Sequence, residues 1–150
     1  MWEIEEIPND HRLFLRVHVN EVKSTGGNLH PGVFREQEGS MSVDWEKYST
    51  AEQSRNRAKN PQKVGIVALI AGVVRSIENL KVLHEPAEDQ DRKNRAHSAV
   101  YGITDASAVN PAVRKTMIRS KLFEYFNQWL LAPPPDTSTQ QPAASATPTS

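Results

Sequence analysis

Residues 11–22 read HRLFLRVHVNEV, and apolar and polar side chains alternate along this stretch. In an extended chain, successive side chains point to opposite faces, so the apolar residues would share one face. That face would carry Leu13, Leu15, Val17 and Val19, and the opposite face would carry Arg12, Phe14, Arg16 and His18. Period-two alternation with β-branched residues is typical of a strand with one buried face. We therefore predict a β-strand over residues 11–22.

Further strands are predicted downstream of this segment. Residues 41–45 (MSVDW) alternate in the same way, and residues 81–84 (KVLH) and 96–103 (AHSAVYGI) are short runs typical of strands. Residues 64–77 (VGIVALIAGVVRSI) are apolar almost throughout. Their β-branched content favours a buried central strand with a bend near Gly72, and a buried helix is the alternative.

Two helices are predicted. The segment Ser49-Thr50-Ala51-Glu52 fits a capping box, in which Ser49 caps the first turn and Glu52 bonds back to it, so a short polar helix is expected over 50–58. Asn110 followed by Pro111 is a typical start for a second helix, and apolar residues then recur at helical spacing for about 20 residues. The end of this helix carries the aromatic side chains that we expect to cover the core: Phe123, Tyr125, Phe126 and Trp129.

The order of these elements predicts the fold class. Successive strands followed by a strong helix indicate an α+β fold, with about five mostly antiparallel strands covered by the C-terminal amphipathic helix. The charged run 87–95 (AEDQDRKNR) is expected to be a solvated loop, and one globular domain is expected over 1–132. Residues 133–150 (PPPDTSTQQPAASATPTS) hold five of the ten prolines and a single charge, so we predict a disordered tail.

Composition narrows the function classes. The chain has 18 basic and 18 acidic residues, so its net charge gives no overall attraction to nucleic acid or anionic lipid. The absence of cysteine excludes disulfides, thiol nucleophiles and iron–sulfur clusters. Its five histidines are scattered without metal-ligand spacing, so we predict neither a metal nor a cofactor. The apolar run 64–74 would span about 16 Å as a helix, too short for a bilayer core of about 30 Å. We expect a soluble, cytoplasmic protein.

The motif Arg-x-His occurs twice, as Arg16-Val17-His18 and as Arg95-Ala96-His97. Residues two apart on a strand share a face, so each pair would present a guanidinium beside an imidazole. Arginine binds phosphate oxygens, and histidine transfers protons near neutral pH. If the two strands lie close together, the pairs would converge on a phosphate ester, with Ser42 and Asp44 orienting an imidazole or binding a ribose hydroxyl. The candidate catalytic residues are His18, His97 and Ser42, and the candidate phosphate-binding residues are Arg16 and Arg95.

Solubility alone also places arginine and histidine on the polar face of a sheet, and no complete catalytic signature is present. The sequence therefore favours a non-catalytic accessory module that acts through contact with another protein in a multi-component system. The alternative is an enzyme that acts on a phosphate ester, a nucleotide or RNA through the two Arg-x-His motifs. A third interpretation is nucleic-acid binding through a local basic stretch comprising Arg55, Arg57, Lys59 and Lys63.

Several short segments carry a resemblance to a known group: Arg12–Val17 after an acidic start, Phe34, Met41-Ser42-Val43-Asp44, Pro86, Asn94-Arg95-Ala96-His97-Ser98 and Gly102. Together they resemble a group of short, uncharacterised bacterial proteins with the pattern MSV…P…NRAHS.V.G, over residues 8–103. The resemblance implies a bacterial origin and a single compact domain, and it implies no activity. It draws attention to the polar positions Arg16, Ser42 and His97.

Overall fold

The structure is a computed structural model, which describes residues 1–135. The predicted tail therefore lies outside the described residues from residue 136 onward. Within residues 1–135 the strands are β1 Arg12–His18, β2 Met41–Trp45, β3 Val64–Ile70, β4 Lys81–His84, β5 Ala87–Asp89, β6 Arg92–Asn94 and β7 His97–Tyr101. The α-helices of the same range are α1 Ala51–Asn56, α2 Ala71–Ser76 and α3 Pro111–Tyr125. No helix in this part of the chain is long and apolar enough to cross a membrane.

Five strands form one antiparallel sheet in the order β3-β1-β2-β7-β4, and β5 and β6 form a separate hairpin. Helix α3 follows the last strand and packs against the hydrophobic core, so the predicted α+β fold is confirmed. The register is central to the site, because Phe14 of β1 pairs with Asp44 of β2, and Asp44 pairs with His97 of β7. Three strands therefore place these side chains in one row across the sheet.

The two faces of the sheet have different surroundings. Alternate residues of β1 and β2, among them Leu13 and Val43, point into the hydrophobic core with Ile118 and Leu122 of α3. This burial confirms that the apolar residues of the alternating segments share one buried face. The strands are not simply half-buried, because Phe14 and Asp44 on the opposite face are 2% and 0% exposed. The opposite face carries Arg16, Asp44 and His97, and it is partly covered by α1 and by the β5–β6 hairpin. We call this second side the polar face.

The apolar segment 64–77 is divided between two elements, so neither predicted form is correct over its whole length. The predicted central position is also wrong, because β3 is an edge strand of the sheet. β3 ends at Ile70 and α2 begins at Ala71. The N-terminal segment causes the change of direction, because Ala71 N donates to His11 O at 3.0 Å and Gly72 N donates to Asn9 O at 2.8 Å. A side chain at Gly72 would collide with Asn9, so this close approach requires glycine.

Three other local predictions are corrected. The charged run 87–95 contains the β5–β6 hairpin and is not a plain loop. α1 is capped by Thr50 with Gln53, one residue later than predicted, while Ser49 donates to Thr50 O. Strand β1 ends at His18, because short 3-10 turns follow it.

Helix α3 is shorter than predicted and ends at Tyr125. Its buried residues are Ile118 and Leu122. Of the four aromatic residues predicted to cover the core, Phe126 is buried in it and Phe123 and Trp129 pack against it, whereas Tyr125 is mostly exposed. The chain then runs along the outer edge of β3, where Ile66 N donates to Leu131 O at 2.8 Å. The outer edge of β4 is also occupied in part, since Arg75 donates to Val82 O at 3.2 Å.

Candidate functional site

A buried carboxylate organises the polar face. Asp44 has no exposed surface, and its Oδ2 accepts hydrogen bonds from Arg16 Nη1 at 2.8 Å, Arg57 Nη1 at 3.0 Å and Ser54 Oγ at 2.6 Å. Its Oδ1 accepts from Asn94 Nδ2 at 2.8 Å. These donors come from β1, the C-terminal end of α1, and β6, so one side chain joins three separate parts of the fold. We call these five residues the Asp44 cluster.

The Asp44 cluster keeps its carboxylate ionised. Burial alone raises the pKa of Asp44, because it penalises the charged form. The positive charge of Arg16 and the hydrogen bond from Ser54 outweigh that penalty, with Asn94 and the charge of Arg57 acting in the same direction. The pKa of Asp44 is therefore lowered from its usual range, and the group is a fixed negative charge at neutral pH.

The two arginines of the cluster keep part of their binding capacity. Each of them reaches Asp44 through Nη1, and their Nε and Nη2 groups have no hydrogen-bond partner within residues 1–135. The side chains of Arg16 and Arg57 are 29% and 30% exposed. Asp44 thus fixes two guanidinium groups whose remaining N–H donors are available to a ligand, and such donors match the oxygens of a phosphate.

These guanidinium groups lie in a cleft of about 360 Å³ between the polar face and the β5–β6 hairpin. We call it the basic cleft, and it is lined by Arg16, Arg57, Ala87, Asp91, Arg92, Lys93, Asn94 and His97. Four of these side chains are cationic. Two carboxylates oppose them, that of Asp91, which also lines the cleft, and that of the buried Asp44. The local charge is therefore positive although the chain as a whole is neutral.

His97 is the one predicted catalytic residue that lines the basic cleft among the residues that the structure describes. Its Nδ1 lies 2.8 Å from Glu85 O. A carbonyl oxygen only accepts hydrogen bonds, so Nδ1 carries the proton and Nε2 of the neutral ring is the proton acceptor. Glu85 N in turn donates to His97 O at 2.9 Å, which holds the two residues together. The arrangement fixes the ring and leaves Nε2 as the nitrogen that a ligand can use.

The predicted convergence of His18 with His97 is wrong. Both side chains lie on the polar face, but His18 is four residues along β1 from Phe14, whose level in the sheet His97 shares. Four residues of strand span about 13 Å, and β2 also separates the two positions. His18 Nδ1 instead accepts from Asn20 N at 3.0 Å and caps the turn after β1.

The predicted partnership of Arg95 with Arg16 is also wrong. The guanidinium of Arg95 lies 4.2 Å from the ring centre of Tyr48, and it approaches Glu5 at 4.0 Å. Tyr48 packs against the hydrophobic core, on the opposite side of the sheet from Arg16. Ser42 is exposed on the polar face and lies beside Arg16 in a second, smaller cleft.

The predicted basic stretch does not form one continuous surface. Arg57 turns into the Asp44 cluster, whereas Arg55 reaches Ala132 O at 3.5 Å. Lys63 lies near Lys23, at a different place from the basic cleft, and Lys59 follows the end of α1. A nucleic-acid surface built from these four residues together is therefore not supported by their positions.

Sequence patterns did not indicate several residues of the basic cleft. The sequence predicts a solvated loop for Arg92, Lys93 and Asn94. Only the hairpin geometry brings Asn94 to Asp44 and the other two residues to the cleft. The available signal is a carboxylate between two large apolar residues, Val43 and Trp45, in a short strand, since a buried charge requires partners. Among the described residues, no three histidine or acidic side chains are grouped as metal ligands would be.

Comparison of the chain with protein families, with curated proteins and with solved structures finds no match. The function must therefore be inferred from the cleft itself.

Proposed function

We propose that this protein binds a phosphate-bearing ligand in the basic cleft. The observation that supports the proposal is the pair of guanidinium groups held on Asp44 with their remaining donors free to bind. Binding costs side-chain entropy when flexible groups must be ordered, and here Arg16 and Arg57 are ordered before the ligand arrives. Arg92 and Lys93 at the hairpin add charge that attracts an anion.

His97 sets the chemistry that is available at the bound phosphate. In its neutral form Nε2 accepts a hydrogen bond or a proton, and in its protonated form it donates to a phosphate oxygen. For the enzyme alternative, the basic cleft supplies one proton-transfer group, His97, beside Arg16 and Arg57. The other predicted residues, His18 and Arg95, lie elsewhere. Recognition of a phosphate ester, with His97 exchanging a proton, is the function that this geometry supports best.

Calorimetric titration with pyrophosphate tests the proposal. Replacing Arg92 and Lys93 by alanine removes two charges without touching the Asp44 carboxylate, so we expect affinity to fall about 10-fold or more. Asp91→Asn removes a negative charge from the same hairpin and should strengthen binding. Lys81→Ala on β4 serves as the control and should leave affinity unchanged. Equal affinities for all four proteins, or no binding at all, would exclude the basic cleft as a phosphate site.

A second candidate function is contact with another protein, and one observation favours it. Val109 and Val113 at the start of α3 are 106% and 61% exposed, next to a shallow apolar groove lined by Ala112, Val113, Thr116 and Met117. Large contiguous apolar patches are typical interaction sites, and this groove would form part of one. The lining of the groove shares no residue with that of the basic cleft, so both functions are compatible.

This second function is tested with the variant Val113→Asp, which places a charge in the apolar groove. A partner that uses the groove should be retained by wild-type protein and by Arg92→Ala, and it should be lost from Val113→Asp. Crosslinking in extracts of the source cells, followed by mass spectrometry, provides the measurement. Retention of the same partner by Val113→Asp would argue against the groove.

We also propose a cytoplasmic location and a bacterial origin, supported by the absence of cysteine and by the sequence resemblance.

A further inference from the structure

The central sheet opens between β1 and β2 just beyond Asp44. The two strands pair only at Leu13 with Trp45 and at Phe14 with Asp44. β1 nevertheless stays paired with β3 as far as His18, and β2 stays paired with β7 from Asp44 back to Met41. Each strand follows its outer neighbour, so a gap forms between them on the side of Arg16 and Ser42.

This gap is a cleft of about 240 Å³, which we call the strand-gap cleft. It is lined by Leu15, Arg16, Glu21, Val33, Arg35, Gln37 and Ser42. Leu15 and Val33 are only 5% and 2% exposed and contribute little surface, and Ser42 and Gln37 supply uncharged hydrogen-bonding groups. The charged residues Glu21 and Arg35 approach each other at 4.0 Å and offset each other's charge, so the lining is less cationic than that of the basic cleft.

The position of Gln37 is set by a tight turn. Gln37 N donates to Ser40 O at 2.8 Å, and Ser40 N donates back to Gln37 O at 3.3 Å. Glu38 and Gly39 between them have φ values of 55° and 90°, the left-handed conformations that such a two-residue turn requires. The turn holds Gln37 at the cleft, and strand β2 holds Ser42 there.

Arg16 lines both clefts, so they adjoin at this residue. A ligand whose phosphate binds the free donors of Arg16 can extend from there into the strand-gap cleft. The part that enters it needs several hydrogen-bonding groups and little net charge, which describes a ribose with a base. The two clefts together also reach the size of small-molecule sites, about 300–1,000 Å³.

We infer that the two clefts form one site for a nucleoside phosphate, with the phosphate in the basic cleft and the nucleoside in the strand-gap cleft. This inference rests on the proposed function, because it assigns the rest of the ligand whose phosphate the basic cleft binds. Ser42 and Gln37 bind the sugar and the base, and Arg16 joins the two halves. Free nucleotides and the phosphorylated ends of RNA share this chemistry.

The test compares the affinities of nucleoside 5′-monophosphates and of pyrophosphate in calorimetric titrations. For the double variant Gln37→Ala/Ser42→Ala we expect nucleotide affinity to fall about 10-fold, because two hydrogen bonds are lost, with pyrophosphate affinity unchanged. Arg92→Ala should weaken both ligands to a similar extent. Gln128→Ala, at an exposed position after α3, is the matched control and should change neither affinity. Thermal unfolding checks that each variant is folded.

The outcomes separate the two proposals. If the double variant binds nucleotide and pyrophosphate as wild type does, the inference is overturned and the proposed function stands. If no phosphate compound binds to the wild-type protein, both are overturned. A short RNA with a 5′-phosphate, compared with the same RNA carrying a 5′-hydroxyl, identifies the source. A preference for the phosphorylated RNA over the free nucleotide assigns the site to RNA ends, and the reverse preference assigns it to free nucleotides.

Discussion

Asp44→Asn is expected to lower the free energy of unfolding by about 3 kcal/mol at pH 7. The substitution keeps the shape of the side chain and removes its charge, which leaves Arg16 and Arg57 beside each other without a counter-ion. Breaking a buried ion pair from one side is costly, because the desolvation penalty of the remaining charges is no longer offset. Here the two guanidinium groups are partly exposed, which limits the cost.

Chemical unfolding at several pH values measures this effect. The pKa of folded Asp44 lies below the ordinary value of about 3.9. Its carboxylate therefore stabilises the fold fully above that ordinary value, and the contribution disappears as the pH falls through the folded pKa. The difference between wild type and Asp44→Asn should accordingly shrink below about pH 4. Asp91→Asn removes the same charge from an exposed position and should cost little. A difference that stays constant down to low pH would show that the carboxylate charge is not the cause.

Gly65→Ala is expected to lower the free energy of unfolding by about 1–3 kcal/mol through overpacking. A Cβ atom at Gly65 would lie 2.5 Å from the ring of Trp129 and 2.7 Å from Leu131 O. Both contacts belong to the segment after α3, which follows the edge of β3. We expect this segment to shift away from the sheet. The environment of Trp129 should then change, and tryptophan fluorescence should report that change.

The double variant Gly65→Ala/Trp129→Ala is the control for this prediction. Trp129→Ala removes the ring that the new methyl group meets, so Gly65→Ala should cost clearly less in that background than in wild type. Strictly additive costs would show that the ring contact is not the source of the effect. Equilibrium unfolding of the four proteins gives the coupling directly.

Strands β1 and β2 could be predicted from sequence because apolar and polar residues alternate along them. Leu13 and Val43 are buried on one face while Arg16 points to the other, which is the sorting that the alternating pattern predicts. The division of residues 64–77 could not be predicted, because it depends on hydrogen bonds from Ala71 and Gly72 to the N-terminal segment. No local pattern contains that information, since the partners are distant in the chain.

The candidate site could be predicted from the sequence only in part. Alternation predicts that Arg16 and Ser42 lie on the polar face, as they do, but it contains no information on the distance between them. That distance depends on which strands pair and in which register, which excluded His18. The pattern predicts Asp44 as a polar strand residue, whereas its four donors come from elements whose packing a single sequence does not reveal.

The contact between Leu131 and Ile66 has a practical consequence for shortened versions of this chain. β3 is a seven-residue, mostly apolar strand, and one side of its backbone borders the segment after α3. Uncovered edges of this kind recruit strands from neighbouring molecules and start aggregation. A truncation that removes the proline-rich end should therefore retain Trp129, Leu130 and Leu131, because a chain cut before them would expose this edge and become insoluble.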